Sequence, residues 1–254
     1  MPKIWTSYLV EKESIFSEIN ILNSSNPELI SKGAAFEVVF QKMMILRCNF
    51  RGEPTQASEA FLFLKNTCLQ DLYVTKLSMF KLTDRVTKDS DVSFYDKALS
   101  IPGCVLVKSA PQSSSEDMAV LFPAQQNFNN IRPLLSLQLK NWKDPFGLSD
   151  LQSEVNKSAL FVEACRMKPN SKSTSKMKTR ATALLVLALT GPTTEGRTGL
   201  SDIRGRVLDT QNAPEGLKIP SGMQVLVLTQ QDVSEFIGWQ NFKALREHLN
   251  HHEK

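Results

Sequence analysis

LYVTKLSMFKLT, running from Leu72 to Thr83, puts Val74, Phe80 and Leu82 on one side of an extended chain and Tyr73, Leu77 and Met79 on the other. Successive side chains of a strand point to opposite faces, so apolar groups on both faces predict a central strand buried between two layers. Working outward, further strands are predicted at Cys104 to Lys108, Met118 to Phe122, Leu134 to Leu139, Ala159 to Met167, Ala181 to Thr190 and Met223 to Leu228. Leu135, Leu137 and Leu139 alternate with Ser136, Gln138 and Lys140, the pattern of a half-buried antiparallel strand. Phe36 to Phe50, rich in β-branched and aromatic residues, reads as one long strand or a bent pair.

Many short strands joined by turn-rich connections, with no long helical crossovers, predict an all-β sandwich or barrel in preference to a parallel α/β sheet. Helices are expected at its periphery. Apolar residues recur at threes and fours from Trp5 to Leu22, Pro54 to Leu64 has a proline suited to a first helical turn, and Thr229 and Asp232 form a capping pair ahead of Val233, Phe236, Phe242, Leu245 and Leu249. That last stripe either docks on the core or recruits a partner. The expected organisation is an N-terminal helical segment (1–34), a β-rich core (35–228) and a C-terminal amphipathic helix (229–254).

At 254 residues and 41% apolar content, the chain can bury a substantial core. The longest apolar run, Ala183 to Leu189, is far shorter than a membrane span, and the charged N-terminal segment lacks the apolar core of a signal peptide, so cytosolic synthesis is expected. Cys48, Cys68, Cys104 and Cys165 have no zinc-type spacing and read as reduced thiols. All three histidines, His248, His251 and His252, fall within the last seven residues, which removes histidine-based catalysis and zinc binding from the body of the fold. Phosphate-binding glycine motifs and the nucleophile-elbow pentapeptide are absent. A non-catalytic protein without metal or cofactor is expected, with carboxylate chemistry, such as glycoside hydrolysis, as an alternative that the sequence supplies no residue pair to support.

The net charge is +4, and its most concentrated source is Arg166, Lys168, Lys172, Lys176, Lys178 and Arg180, a stretch with no acidic residue. Such a basic loop can neutralise several phosphates of a single-stranded RNA or nucleoprotein without reading bases. Anionic lipid, nuclear localisation and simple solvation are the other uses of the same charge.

Met79-Phe80-Lys81-Leu82-Thr83-Asp84-Arg85 is an apolar strand ending in Leu-x-Asp, and Gly147 follows after three further predicted strands. This resembles the plant-virus cell-to-cell movement proteins of the thirty-kilodalton superfamily, in which a Leu-x-Asp strand is followed some tens of residues later by a glycine. The resemblance spans roughly Leu72 to Met167. It implies a jelly-roll-like sandwich that carries viral nucleic acid through plasmodesmata, located in host cytoplasm and wall puncta and meeting plasmodesmal or membrane proteins. Leu82, Asp84 and Gly147 would be its structural determinants. The stretch Phe36 to Thr83 is also faintly similar to rhabdovirus matrix proteins, although a strongly basic N-terminal tail and a Pro-Pro-x-Tyr motif are absent. That alternative implies self-association and peripheral membrane contact.

Overall fold

The structure, a computed structural model, describes residues 32–49, 53–82, 95–109, 117–124, 132–140, 145–166, 182–189, 200–238 and 243. Helix α1 (Lys32–Asn49) comes first, followed by β1 (Thr55–Gln56), the short helix α2 (Ala57–Ala60), a 3-10 turn at Leu62–Leu64, and β2 (Tyr73–Val74), which pairs with β1. Then come β3 (Leu77–Lys81), α3 (Tyr95–Ser100), β4 (Cys104–Lys108), β5 (Met118–Leu121), β6 (Leu134–Lys140) and α4 (Leu148–Arg166). The chain closes with β7 (Ala183–Leu189), β8 (Val207–Leu208), β9 (Met223–Leu228) and α5 (Gln230–Ile237).

Seven strands form one mixed sheet in the order β3-β4-β5-β6-β7-β9-β8. The pairs β3–β4, β6–β7 and β7–β9 are parallel, and two antiparallel steps through β5 return β6 to the direction of β4. Thus β3, β4, β6, β7 and β9 all end at the same edge. Alternate residues of each strand feed two separate cores. Leu184, Val186 and Ala188 pack with α1 and α5, whereas Leu185, Leu187 and Leu189 pack on the side of α4.

The architecture is therefore a three-layer α/β fold, and it overturns the expectation of an all-β, jelly-roll-like sandwich or barrel. Two predicted strands are helical. Phe36, Val39, Phe40, Met43 and Met44 are buried at the spacing of one helix face, so Phe36 to Asn49 belongs to α1. The half-buried Val38 and Ile45 blurred that stripe. Ala159 to Arg166 is the second half of α4, whose inward stripe comprises Leu151, Glu154, Val155, Ser158 and Val162. Polar residues within the stripe hid its period. The predicted central strand Leu72 to Thr83 divides into β2 and β3, and β3 is an edge strand of the sheet. Likewise β6 is buried on both faces, Ser136 and Gln138 included.

Two contacts hold the layers in register. The Arg132 guanidinium donates to the carbonyls of Leu99, Ile101, Gly103, Leu121 and Phe122, tying the end of α3 to the ends of β4 and β5. On the opposite face Phe236 of α5 sits 4.6 Å from the Phe40 ring and 5.2 Å from Phe63, while Arg47 lies 5.0 Å over it and donates to its carbonyl. Thr229 and Asp232 cap α5 reciprocally, as their spacing predicts, and Val233, Phe236 and Ile237 dock that helix on the core. The N-terminal segment predicted from Trp5 to Leu22, and Phe242, Leu245 and Leu249, lie outside the described residues.

Candidate functional site

A parallel sheet gathers the last residues of its strands, and in open α/β folds that edge is where ligands bind. In this sheet it collects charge: β3 ends at Lys81, β4 at Lys108 and β6 at Lys140. Register then adds acceptors. Lys108 lies opposite Met118 and Met118 opposite Leu137, so one residue further out Ser109, Asp117 and Gln138 form a row across β4, β5 and β6. Backbone bonds extend the ladder to that row, with Ser109 N–H donating to the Asp117 carbonyl at 3.3 Å and Asp117 N–H to that of Leu137 at 3.1 Å. Residues facing one another in such a row share a sheet face.

That face is the one covered by α4. Glu154, only 1% exposed, comes down from the helix onto Lys140, whose Nζ lies 3.4 Å from Glu154 Oε2 and 3.7 Å from Asp117 Oδ2. A lysine is thus held between two carboxylates. Lys157 Nζ donates to Glu154 Oε1 at 2.7 Å, and the Leu139 N–H donates to Asp117 Oδ2 at 2.6 Å. Behind them Ser136 and Ser158 hydroxyls meet at 3.0 Å, so β6 and α4 share a polar seam within an otherwise apolar layer. Ser109 Oγ and Glu154 Oε2 are buried without a hydrogen-bond partner among the described residues.

From the opposite layer Glu37 of α1 forms an ion pair with Lys108. Its charge reaches Asp117 around the sheet edge. Burial pushes the Asp117 carboxyl above its ordinary value; Lys140 and the Leu139 N–H act against that, Glu37 adds to it, and Lys108 opposes. A carboxyl displaced by burial and by specific charged neighbours is a mark of functional sites, because such an environment is costly to build for stability alone. Asp117 remains 21% exposed and Glu154 almost fully covered, so the row opens to solvent at the Asp117 end. Among the described residues no three His, Cys, Asp or Glu side chains are grouped to hold a metal ion.

Of the residues predicted from sequence, Leu82, Gly147 and Arg166 are described, and none of the three belongs to that row. Arg166 ends α4, about 18 Å along the axis from Glu154 and toward the opposite edge of the sheet. Lys168, Lys172, Lys176, Lys178 and Arg180, with Asp84, fall outside the described residues. Leu82 is buried and donates its N–H to the Lys108 carbonyl at 2.9 Å. Gly147 opens α4: its N–H donates to the Asp150 carboxylate at 2.8 Å and its carbonyl accepts from Leu151. Both residues adjoin the charged edge; Leu82 packs its side chain in the core on the α4 side, and Gly147 acts through its backbone. The sequence signal that would have led to the site is Gln138-Leu139-Lys140, polar groups closing a strand whose other face is wholly leucine. Comparison with protein-family models, with curated proteins and with solved structures finds no match to this chain.

Proposed function

We propose that this edge is a hydrolytic site for phosphodiesters. The observation that carries the reading is Lys140, fixed between Asp117 and Glu154 at the carboxyl ends of the parallel strands. Phosphoryl transfer needs positive charge where negative charge develops on the equatorial oxygens, and a lysine anchored by two carboxylates is preorganised for that task. Asp117, beside it and open to solvent, is placed to accept a proton from an attacking water. Its raised affinity for protons makes it a better base than an ordinary surface aspartate. Glycoside hydrolysis is disfavoured, because the Lys140 ammonium occupies the space between the two carboxylates where a sugar ring would sit.

Nucleic acid remains the proposed partner, with the basic stretch 166–180 supplying further backbone contacts. Transport between cells rests on the resemblance at Leu82, Asp84 and Gly147 alone, and the jelly-roll fold that it implies is not the fold of this chain. The matrix-like alternative gains no support from a described surface.

The test is hydrolysis of bis(p-nitrophenyl) phosphate by the full chain, with Mg2+ and with chelator. Asp117→Asn should lower the rate by about 100-fold or more, in keeping with loss of a general base. Lys140→Gln should do the same by removing transition-state charge stabilisation. Wild-type protein without activity on any phosphodiester under these conditions, or an active Asp117→Asn variant, would refute the reading.

A further inference from the structure

Lys81, Lys108 and Lys140 each end a parallel strand, and they are spaced across the edge by β4 and β5. Strands lie about 4.8 Å apart, so Lys81 and Lys140 are separated by three spacings, about 14 Å. Their side chains also leave opposite faces. Lys140 points to the α4 layer, where Glu154 holds it, whereas Lys81 shares its face with Met79, which meets Gln41 of α1. The two lysines therefore cannot converge on one phosphate. Lys108 lies beside Lys81 in the β3–β4 register and carries its own carboxylate, Glu37. Lys81 is exposed and forms no ion pair among the described residues.

Lys81, which no described residue neutralises, has no role in the chemistry at Asp117. We infer that the substrate of the proposed site is a nucleic-acid strand, which leaves the Asp117–Lys140 row on the α4 side and passes over the strand ends toward the tip of β3, where Lys81 binds a phosphate that is not cleaved. A small phosphodiester reaches only the row; a polymer with repeating phosphates reaches both. Met79, 48% exposed immediately before Phe80 and Lys81 on this edge, offers an apolar surface next to the cation, as a base following that phosphate would require. This inference rests on the phosphodiester reading and extends it to a polymeric substrate with a defined direction.

The experiment compares Lys81→Gln with Lys76→Gln, an exposed lysine next to Leu77 and so at the opposite end of β3. The full chain is titrated with a fluorescent single-stranded oligonucleotide over a range of salt concentrations and assayed on that oligonucleotide and on bis(p-nitrophenyl) phosphate. Lys81→Gln should weaken oligonucleotide binding about threefold and reduce the slope of log K against log salt by about 0.7, the contribution of one single-strand phosphate. It should leave hydrolysis of the small diester unchanged, and Lys76→Gln should change none of the three. Unchanged affinity and slope for Lys81→Gln overturn the inference, as does an equal effect of Lys76→Gln, which would mark a nonspecific charge effect. An equal loss on the small diester also overturns it, by making Lys81 part of the structure of the site. Asp117→Asn separates the two proposals: if it still hydrolyses the small diester, the catalytic reading fails while the binding titrations continue to report on Lys81.

Discussion

Replacing Lys140 by methionine removes the cation between Asp117 and Glu154 and keeps its apolar stem. Breaking a buried ion pair by removing one partner costs about 3–5 kcal/mol, because the remaining charge stays desolvated. The lower end applies here, since Glu154 retains Lys157 at 2.7 Å and Asp117 retains the Leu139 N–H at 2.6 Å. We therefore expect a loss of about 3 kcal/mol for Lys140→Met. In a chain of 254 residues that corresponds to a fall in Tm of about 6–12 °C. Urea unfolding of the full chain, followed by far-UV circular dichroism, measures it directly as a lower midpoint with an unchanged slope. The triple variant Lys140→Met, Glu154→Leu, Asp117→Asn should recover most of the loss, because apolar or neutral replacement of a whole buried charge group is often neutral in stability. A Lys140→Met protein within about 0.5 kcal/mol of wild type would refute the reasoning, for that is the behaviour of a solvated surface charge.

Asp117→Asn should raise Tm at neutral pH while abolishing hydrolysis. The Asp117 carboxyl titrates above its ordinary 3.8, so the unfolded chain ionises first as pH rises; the native state is penalised from there up to its own value, and the full penalty persists at neutral pH. The advantage of the asparagine variant should accordingly shrink as pH falls toward 3.8 and vanish below it, in thermal scans across that range. Phe236→Ala should cost about 4 kcal/mol in urea unfolding, from a large buried ring that meets Phe40, Phe61 and Phe63 and carries Arg47 on its face; a loss under about 1 kcal/mol would mean that α5 does not lock onto α1.

How much of this could be read from the chain differs from element to element. Cys104 to Lys108, Ala183 to Leu189 and Met223 to Leu228 are short runs dense in valine and leucine, and such runs form strands wherever a sheet can bury them. Phe36 to Asn49 and Ala159 to Arg166 are also rich in apolar residues yet are helical, since polar and half-buried residues interrupt their stripes and a short apolar run then fits helix and strand alike. The all-β expectation followed from those two segments. It also concealed the candidate site: Ser136 and Gln138 look like the wet side of a half-buried strand, and Glu154 and Ser158 interrupt the stripe of α4, because buried polar groups there occupy positions that packing would give to apolar residues.

Composition and spacing alone confine the three histidines to the last seven residues, mark the apolar runs that a sheet can bury, and place a helix start at Thr229. That Glu37, Asp117, Lys140 and Glu154 share one edge follows from the folded arrangement. Their spacing along the chain contains no trace of this, since the meeting depends on parallel strands that all end on the same side and on α4 folding back over the last of them, and strand direction is set by the crossovers between strands, not by any residue within them.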